Sequence, residues 1–147
     1  MTARYPEFKD PGPEIRHALE TRDTSYIEDM IGKVLGCYRR PDAIDEHNIP
    51  MLPKMYCTMS GYRSSSHVPV GEHRIDVLAF TKFGTEVIAF EFRRSRNIND
   101  LHKDATLALE RLRMKIEALD KSKKEVTMFG IAFHGHKVLA YTGVVRH

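Results

Sequence analysis

Asp76 and Glu91 each stand as a single carboxylate inside an apolar run of strand length. The runs are Arg74-Ile75-Asp76-Val77-Leu78-Ala79-Phe80 and Glu86-Val87-Ile88-Ala89-Phe90-Glu91-Phe92-Arg93. An isolated buried carboxylate costs several kcal/mol, on the order of a domain's whole stability, unless it is paired or bound to a cation. Two of them on neighbouring strands suggest a metal site. Glu91 and Arg93 are two residues apart and so point to the same face of their strand. A turn near residues 82–85 sets Asp76 opposite or diagonal to Glu91, within reach of one cation. Two carboxylates, a backbone carbonyl and water make an oxygen-rich site suited to Mg²⁺ or Mn²⁺.

The basic residues add a second chemical feature. The chain carries 23 Lys and Arg against 20 Asp and Glu, a net charge of only +3, so their placement matters more than their number. Arg93, Arg94 and Arg96 follow the second carboxylate, and Arg111, Arg113, Lys115, Lys121, Lys123 and Lys124 come next. Such a surface can meet phosphates, or it can be an ordinary solvated helix face. His134 and His136 flank Gly135 at an expected turn and are read as structural or exposed, because no further ligands share their spacing. His73 stands next to Arg74 at the mouth of its strand. Ser64, Ser65 and Ser66 lack the surroundings of a nucleophile, and no Walker or dinucleotide-binding glycine pattern is present. Tyr62, Phe83 and Tyr141 could stack on bases, but packing is the default for aromatic residues in strands. Cys37 and Cys57 have no CxxC spacing and read as buried free thiols of a reducing cytosol.

The elements that must position these groups follow from periodicity. At 147 residues, with 41% hydrophobic and 29% charged residues, the chain suits one globular domain with a real core. No apolar run approaches the roughly 20 residues of a membrane span, and Met1-Thr2-Ala3-Arg4-Tyr5-Pro6 lacks a signal-peptide core. We therefore expect a cytoplasmic protein with no membrane partner. Residues 1–25 are expected to form an arm with a short helix from Glu14 to Glu20, started by Pro13. Residues 26–147 are expected to form the domain. Ser25 with Glu28 resembles a capping box, and Ile27, Met30, Ile31, Val34, Leu35 and Tyr38 predict a helix over 26–39. Residues 40–54, with three prolines, read as a connection.

Met55 to Arg63 is expected to be the first strand, and Ser64 to Glu72 a polar loop. Residues 73–81 and 86–94 form the second and third strands, joined by a turn at Lys82-Phe83-Gly84-Thr85. Their unbroken apolar character predicts central strands covered on both faces. Leu101, Ala105, Ala108, Leu109, Leu112, Ile116 and Leu119 predict a helix over 100–120. Residues 126–133 and 137–145 complete a mixed sheet of about five strands, in an α/β (α+β) order αβββαββ.

Four stretches together carry a resemblance: Gly71-Glu72-His73-Arg74-Ile75-Asp76-Val77, Glu91-Phe92-Arg93, Ala108-Leu109-Glu110-Arg111-Leu112 and Gly130-Ile131-Ala132-Phe133-His134-Gly135-His136-Lys137. In this order the chain resembles the PD-(D/E)XK nuclease superfamily over roughly residues 26–142. It is most similar to the nuclease-like domain found beside AAA-ATPase-like modules in microbial proteins. The resemblance implies a restriction-endonuclease-like core. It implies Asp76 and Glu91 as metal ligands, with the Phe92 carbonyl as a third, and Glu28 as an acid on the first helix that some members use. The metal, Mg²⁺ or Mn²⁺, would polarise a phosphodiester of DNA or RNA and supply hydroxide from bound water.

The chain departs from that pattern at two positions. Arg93 stands where the family has lysine, and Arg111 where the branch has glutamine. Arginine stays protonated and cannot act as a base, but it can hold a phosphate or stabilise developing negative charge. Two outcomes remain open: a metal-dependent nuclease in which Arg93 and Arg111 contact the phosphate, or an inactive nuclease-fold module that binds nucleic acid or a protein partner. A homodimer or a partner protein is compatible with either.

Overall fold

Val77, Ala79, Ile88 and Phe90 alternate along their strands with Leu78, Val87 and Ala89, and all seven are buried. Strands with no polar face need cover on both sides, and this requirement sets the architecture. The computed structural model describes residues 11–37, 48–81, 86–118 and 125–146. Its elements are α1 (Gly12–Glu20), α2 (Thr24–Gly36), α3 (Met51–Met59), β1 (Arg63–Val70), β2 (His73–Phe80), β3 (Val87–Arg94), α4 (Leu101–Glu117), β4 (Glu125–His134) and β5 (Lys137–Arg146). The strands form one five-stranded sheet in the order β1-β2-β3-β4-β5. Neighbours are antiparallel except β3 and β4, which run parallel. A parallel pair needs a crossover, and α4 supplies it. The chain is thus α+β, with a mixed sheet between helices.

Each face of the sheet has its own core. Ile15 and Leu19 of α1, Ile27, Ile31 and Leu35 of α2 and Cys57 of α3 pack on Val77, Ala79, Ile88, Phe90, Phe129 and Ile131. On the other face, Leu112 and Ile116 of α4 pack on Leu78, Val87, Ala89, Val126 and Met128. The first helix is therefore part of the main core. Gly130 brings α4 close: a Cβ there would lie 2.4 Å from the Leu109 backbone nitrogen. Only hydrogen at that position lets the helix backbone settle on β4.

Four expectations are corrected. Residues 51–59, read as the end of a connection and the start of a strand, form α3. Pro53 sits in the first helical turn, where its missing N–H has no partner to lose. The first strand is instead β1, which contains the serines read as a loop: Ser64, Ser65 and Ser66 pair with Ala79, Leu78 and Val77. An outer strand needs backbone pairing more than apolar side chains. The cap of α2 is Asp23, whose Oδ1 accepts from the Tyr26 N–H at 3.1 Å, and not Ser25. Cys57 is buried, and its thiol is pushed up to about 12 by burial, but Cys37 is exposed rather than buried. Among the described residues no helix is long and apolar enough to cross a membrane. The expected arm over 1–10, most of the connection before Asn48, the turn at 82–85 with Phe83, Leu119 and the lysines at 121, 123 and 124 lie outside the described residues.

Candidate functional site

The β2–β3 ladder pairs Phe80 with Val87, Ala79 with Ile88, Leu78 with Ala89 and Val77 with Phe90, and stops there. The next pair in register would be Asp76 with Glu91. Beyond the last rung, the Phe92 N–H donates to Asp76 Oδ2 at 2.8 Å. A side-chain carboxylate thus replaces a backbone acceptor, and the two central strands part at the residues that carry the carboxylates. The other side of β2 is also distorted here. His67 lies between the Ser66–Val77 and Val68–Ile75 pairs, across from Asp76, and adopts a φ of 54°. Left-handed backbone at a residue with a side chain stores strain, and such strain clusters at functional sites.

The opening is a cavity of about 190 Å³ lined by Arg74, Asp76, Glu91, Phe92, Arg93, Arg111 and Lys115. Asp76 is half-buried, and Glu91 is 5% exposed. Burial, reinforced by the Asp76 carboxylate beside it, raises the Glu91 pKa to about 7. Lys115 opposes this: its ammonium donates to Glu91 Oε2 at 2.6 Å and to the Arg74 carbonyl at 2.7 Å. The hydrogen bond and the positive charge both favour the ionised carboxylate. Four cationic side chains against two carboxylates give the cavity a positive balance, suited to an anion.

Arg93 reaches this cavity but is tied elsewhere. Its Nε lies 3.5 Å from Asp104 Oδ1 on α4, too long for a hydrogen bond, while Asp104 Oδ2 accepts from the Ser95 hydroxyl at 2.7 Å. Asp104 and Ser95 are both buried. Arg93 is therefore paired to the helix, and the cation on Glu91 also comes from the helix.

The expected site residues separate clearly. Asp76, Glu91, Phe92, Arg93 and Arg111 share the cavity. Glu28 does not line it. Its Oε2 accepts from the Ala140 N–H at 2.8 Å, so this carboxylate closes the open edge of β5 rather than capping α2. Two residues were missed as site residues: Arg74, noted only as the neighbour of His73, and Lys115, noted only as one of a basic run. A signal was present: Lys115 lies three residues after buried Leu112 and beside buried Ile116, so it flanks the stripe of α4 that faces the sheet.

The residues present fit a divalent cation in part. Among the described residues no three His, Cys, Asp or Glu side chains group as a metal site. Mg²⁺, however, is commonly held by one or two carboxylates, with water and substrate phosphate completing the shell. Two carboxylates at the parted end of a hairpin, one of them costly to ionise, match that requirement. Compared with protein-family models and with curated proteins, the chain matches none.

Proposed function

We propose that this protein is a metal-dependent nuclease-like phosphodiesterase of DNA or RNA with a restriction-endonuclease-like core, acting in the cytoplasm. The observation that carries the reading is the meeting of Asp76 and Glu91 in one cationic cavity where β2 and β3 part. Asp76 and Glu91 would hold Mg²⁺ or Mn²⁺, with the Phe92 carbonyl as the third ligand that the family resemblance implies. The metal would polarise the phosphodiester and lower the pKa of an attacking water. Arg111 and Arg74, both exposed at the rim, bind and orient the phosphate. Lys115 favours the ionised form of Glu91 and adds positive charge beside the reacting phosphate. Arg93, held by Asp104, stiffens the wall of the cavity.

The experiment is cleavage of labelled DNA and RNA with Mg²⁺ or Mn²⁺, wild type beside Asp76→Ala. Cleavage by wild type alone supports the reading, and cleavage that persists in Asp76→Ala sinks it. One observation favours a second reading, an inactive module that binds nucleic acid or a protein partner: Lys115 already neutralises Glu91 at 2.6 Å, as a bound cation would. Calorimetric titration with Mg²⁺ separates the two, because the second reading requires no metal binding by the folded protein.

A further inference from the structure

A second cavity opens directly beside the carboxylate site. Its volume is about 630 Å³, and it is lined by Val70, His73, Arg111, Met114, Lys115 and Ala118. Arg111 and Lys115 also line the smaller cavity of about 190 Å³, so the two are contiguous and share a cationic partition. Beyond that partition the character changes. Val70, Met114, Ala118 and the Lys115 stem present apolar surface, and His73 adds a flat ring. Met114 is 71% exposed, the most open of three exposed large hydrophobic side chains among the described residues. Met114 does not stand alone: with Val70 and Ala118 it forms one apolar wall beside the charged cleft, and a contiguous apolar patch of this kind suits ligand binding.

A ligand matching both cavities carries an anionic group and, a short linker away, a flat ring whose faces can stack on apolar surface. We infer that the larger cavity receives the unpaired base of the nucleotide that flanks the bound phosphate, so that the substrate is single-stranded nucleic acid or a strand with an extruded base. This inference rests on the proposed phosphodiesterase reading and specifies its substrate class. In a duplex both faces of a base are stacked, and reaching a side pocket costs unstacking and unpairing. In a single strand that cost largely disappears, and stacking on protein surface tolerates any base. Arg111 and Lys115 would hold the phosphate, while Met114 and His73 cover the base.

The chain contains no tryptophan, which makes a direct reporter available. Met114→Trp places the sole indole in the larger cavity, at an exposed helix position that tolerates a larger side chain. Its emission is followed in metal-free buffer with three probes of equal length: a single strand, its blunt duplex and a single strand that is abasic throughout. The single strand is expected to quench the emission and to bind about tenfold more tightly than either other probe. His73→Ala in the same background is expected to weaken only the single-strand complex. Equal quenching and affinity for all three probes would overturn the inference, because contact with backbone alone would then explain binding. The parent reading is tested separately by Asp76-dependent cleavage. Cleavage that needs Asp76 but treats duplex and single strand alike leaves the phosphodiesterase standing and removes the base pocket.

Discussion

Glu91→Gln should remove a specific piece of the protein's pH dependence. Burial and Asp76 raise the Glu91 pKa from an ordinary 4.5 to about 7 in the folded chain. A carboxyl whose pKa is raised on folding prefers its proton in the folded state. Its penalty is absent below the unfolded pKa, grows as pH rises, and is complete above the folded pKa. At about 1.4 kcal/mol per pKa unit, wild type should lose about 2–3 kcal/mol between about pH 5 and about pH 8 through this group. Glutamine keeps the shape and an acceptor for Lys115 but cannot ionise. Its fixed cost is the same at both pH values and cancels in the difference, as do the contributions of histidines common to both proteins. The assay is urea unfolding followed by far-ultraviolet circular dichroism, in metal-free buffer at several pH values. The stability of the variant relative to wild type should rise by about 2–3 kcal/mol across the window, centred below pH 7. Parallel pH profiles would refute the reasoning, because Glu91 would then ionise as it does in the unfolded chain. The same proton bears on the proposed function: a cation held by Glu91 must displace it, so affinity for Mg²⁺ should climb with pH up to about 7.

Lys115→Met removes both influences that lower the Glu91 pKa, so the Glu91-dependent inflection in the same unfolding profile should move above its wild-type position; an unmoved inflection would show that the ammonium does not govern the carboxylate. Gly130→Ala would set a methyl 2.4 Å from the Leu109 nitrogen and should cost about 2–3 kcal/mol by forcing α4 off β4, a loss that urea unfolding would show and that full wild-type stability would contradict. Glu28→Ala leaves the Ala140 N–H without its acceptor and should cost about 1–2 kcal/mol. Cleavage per folded molecule should not change in that variant, and a loss of cleavage would return Glu28 to the chemistry.

The parts of the fold that could be read directly are those where one periodicity had no rival. The apolar runs of β2 and β3 and the Leu112–Ile116 stripe of α4 have one stable placement each, between layers and against a sheet. α3 and β1 were exchanged for a physical reason. Met51–Met59 carries two central side chains able to serve either a helix or a strand, Tyr56 and Cys57, and Pro53 argues against a helix only beyond its first turn. β1 shows serines where the eye expects apolar residues, because an edge strand is specified by its partner. Ser64 is held by β2 pairing and by a hydrogen bond from its hydroxyl to the Lys54 carbonyl at 3.0 Å. Neither relation is local in sequence.

The same distinction governs the site. Asp76 and Glu91 were visible because a carboxylate in a buried strand conflicts with its surroundings, and that conflict is readable one residue at a time. The pairing of cations was not, because it depends on how α4 lies across the sheet. Contact between Leu109 and Gly130 fixes the helix close to β4, and from there Asp104 meets Arg93 while Lys115 meets Glu91. An arginine could not easily take the place of Lys115. A compact ammonium donates to Glu91 and to the Arg74 carbonyl at once, whereas a planar guanidinium would need a wider gap between β2 and α4. Conversely, Arg93 spans to Asp104 with a long side chain and permanent charge. Lysine on the helix and arginine on the strand are therefore each matched to the distance they bridge. The compact cation of the site thus comes from α4, while the strand's own arginine is turned toward Asp104.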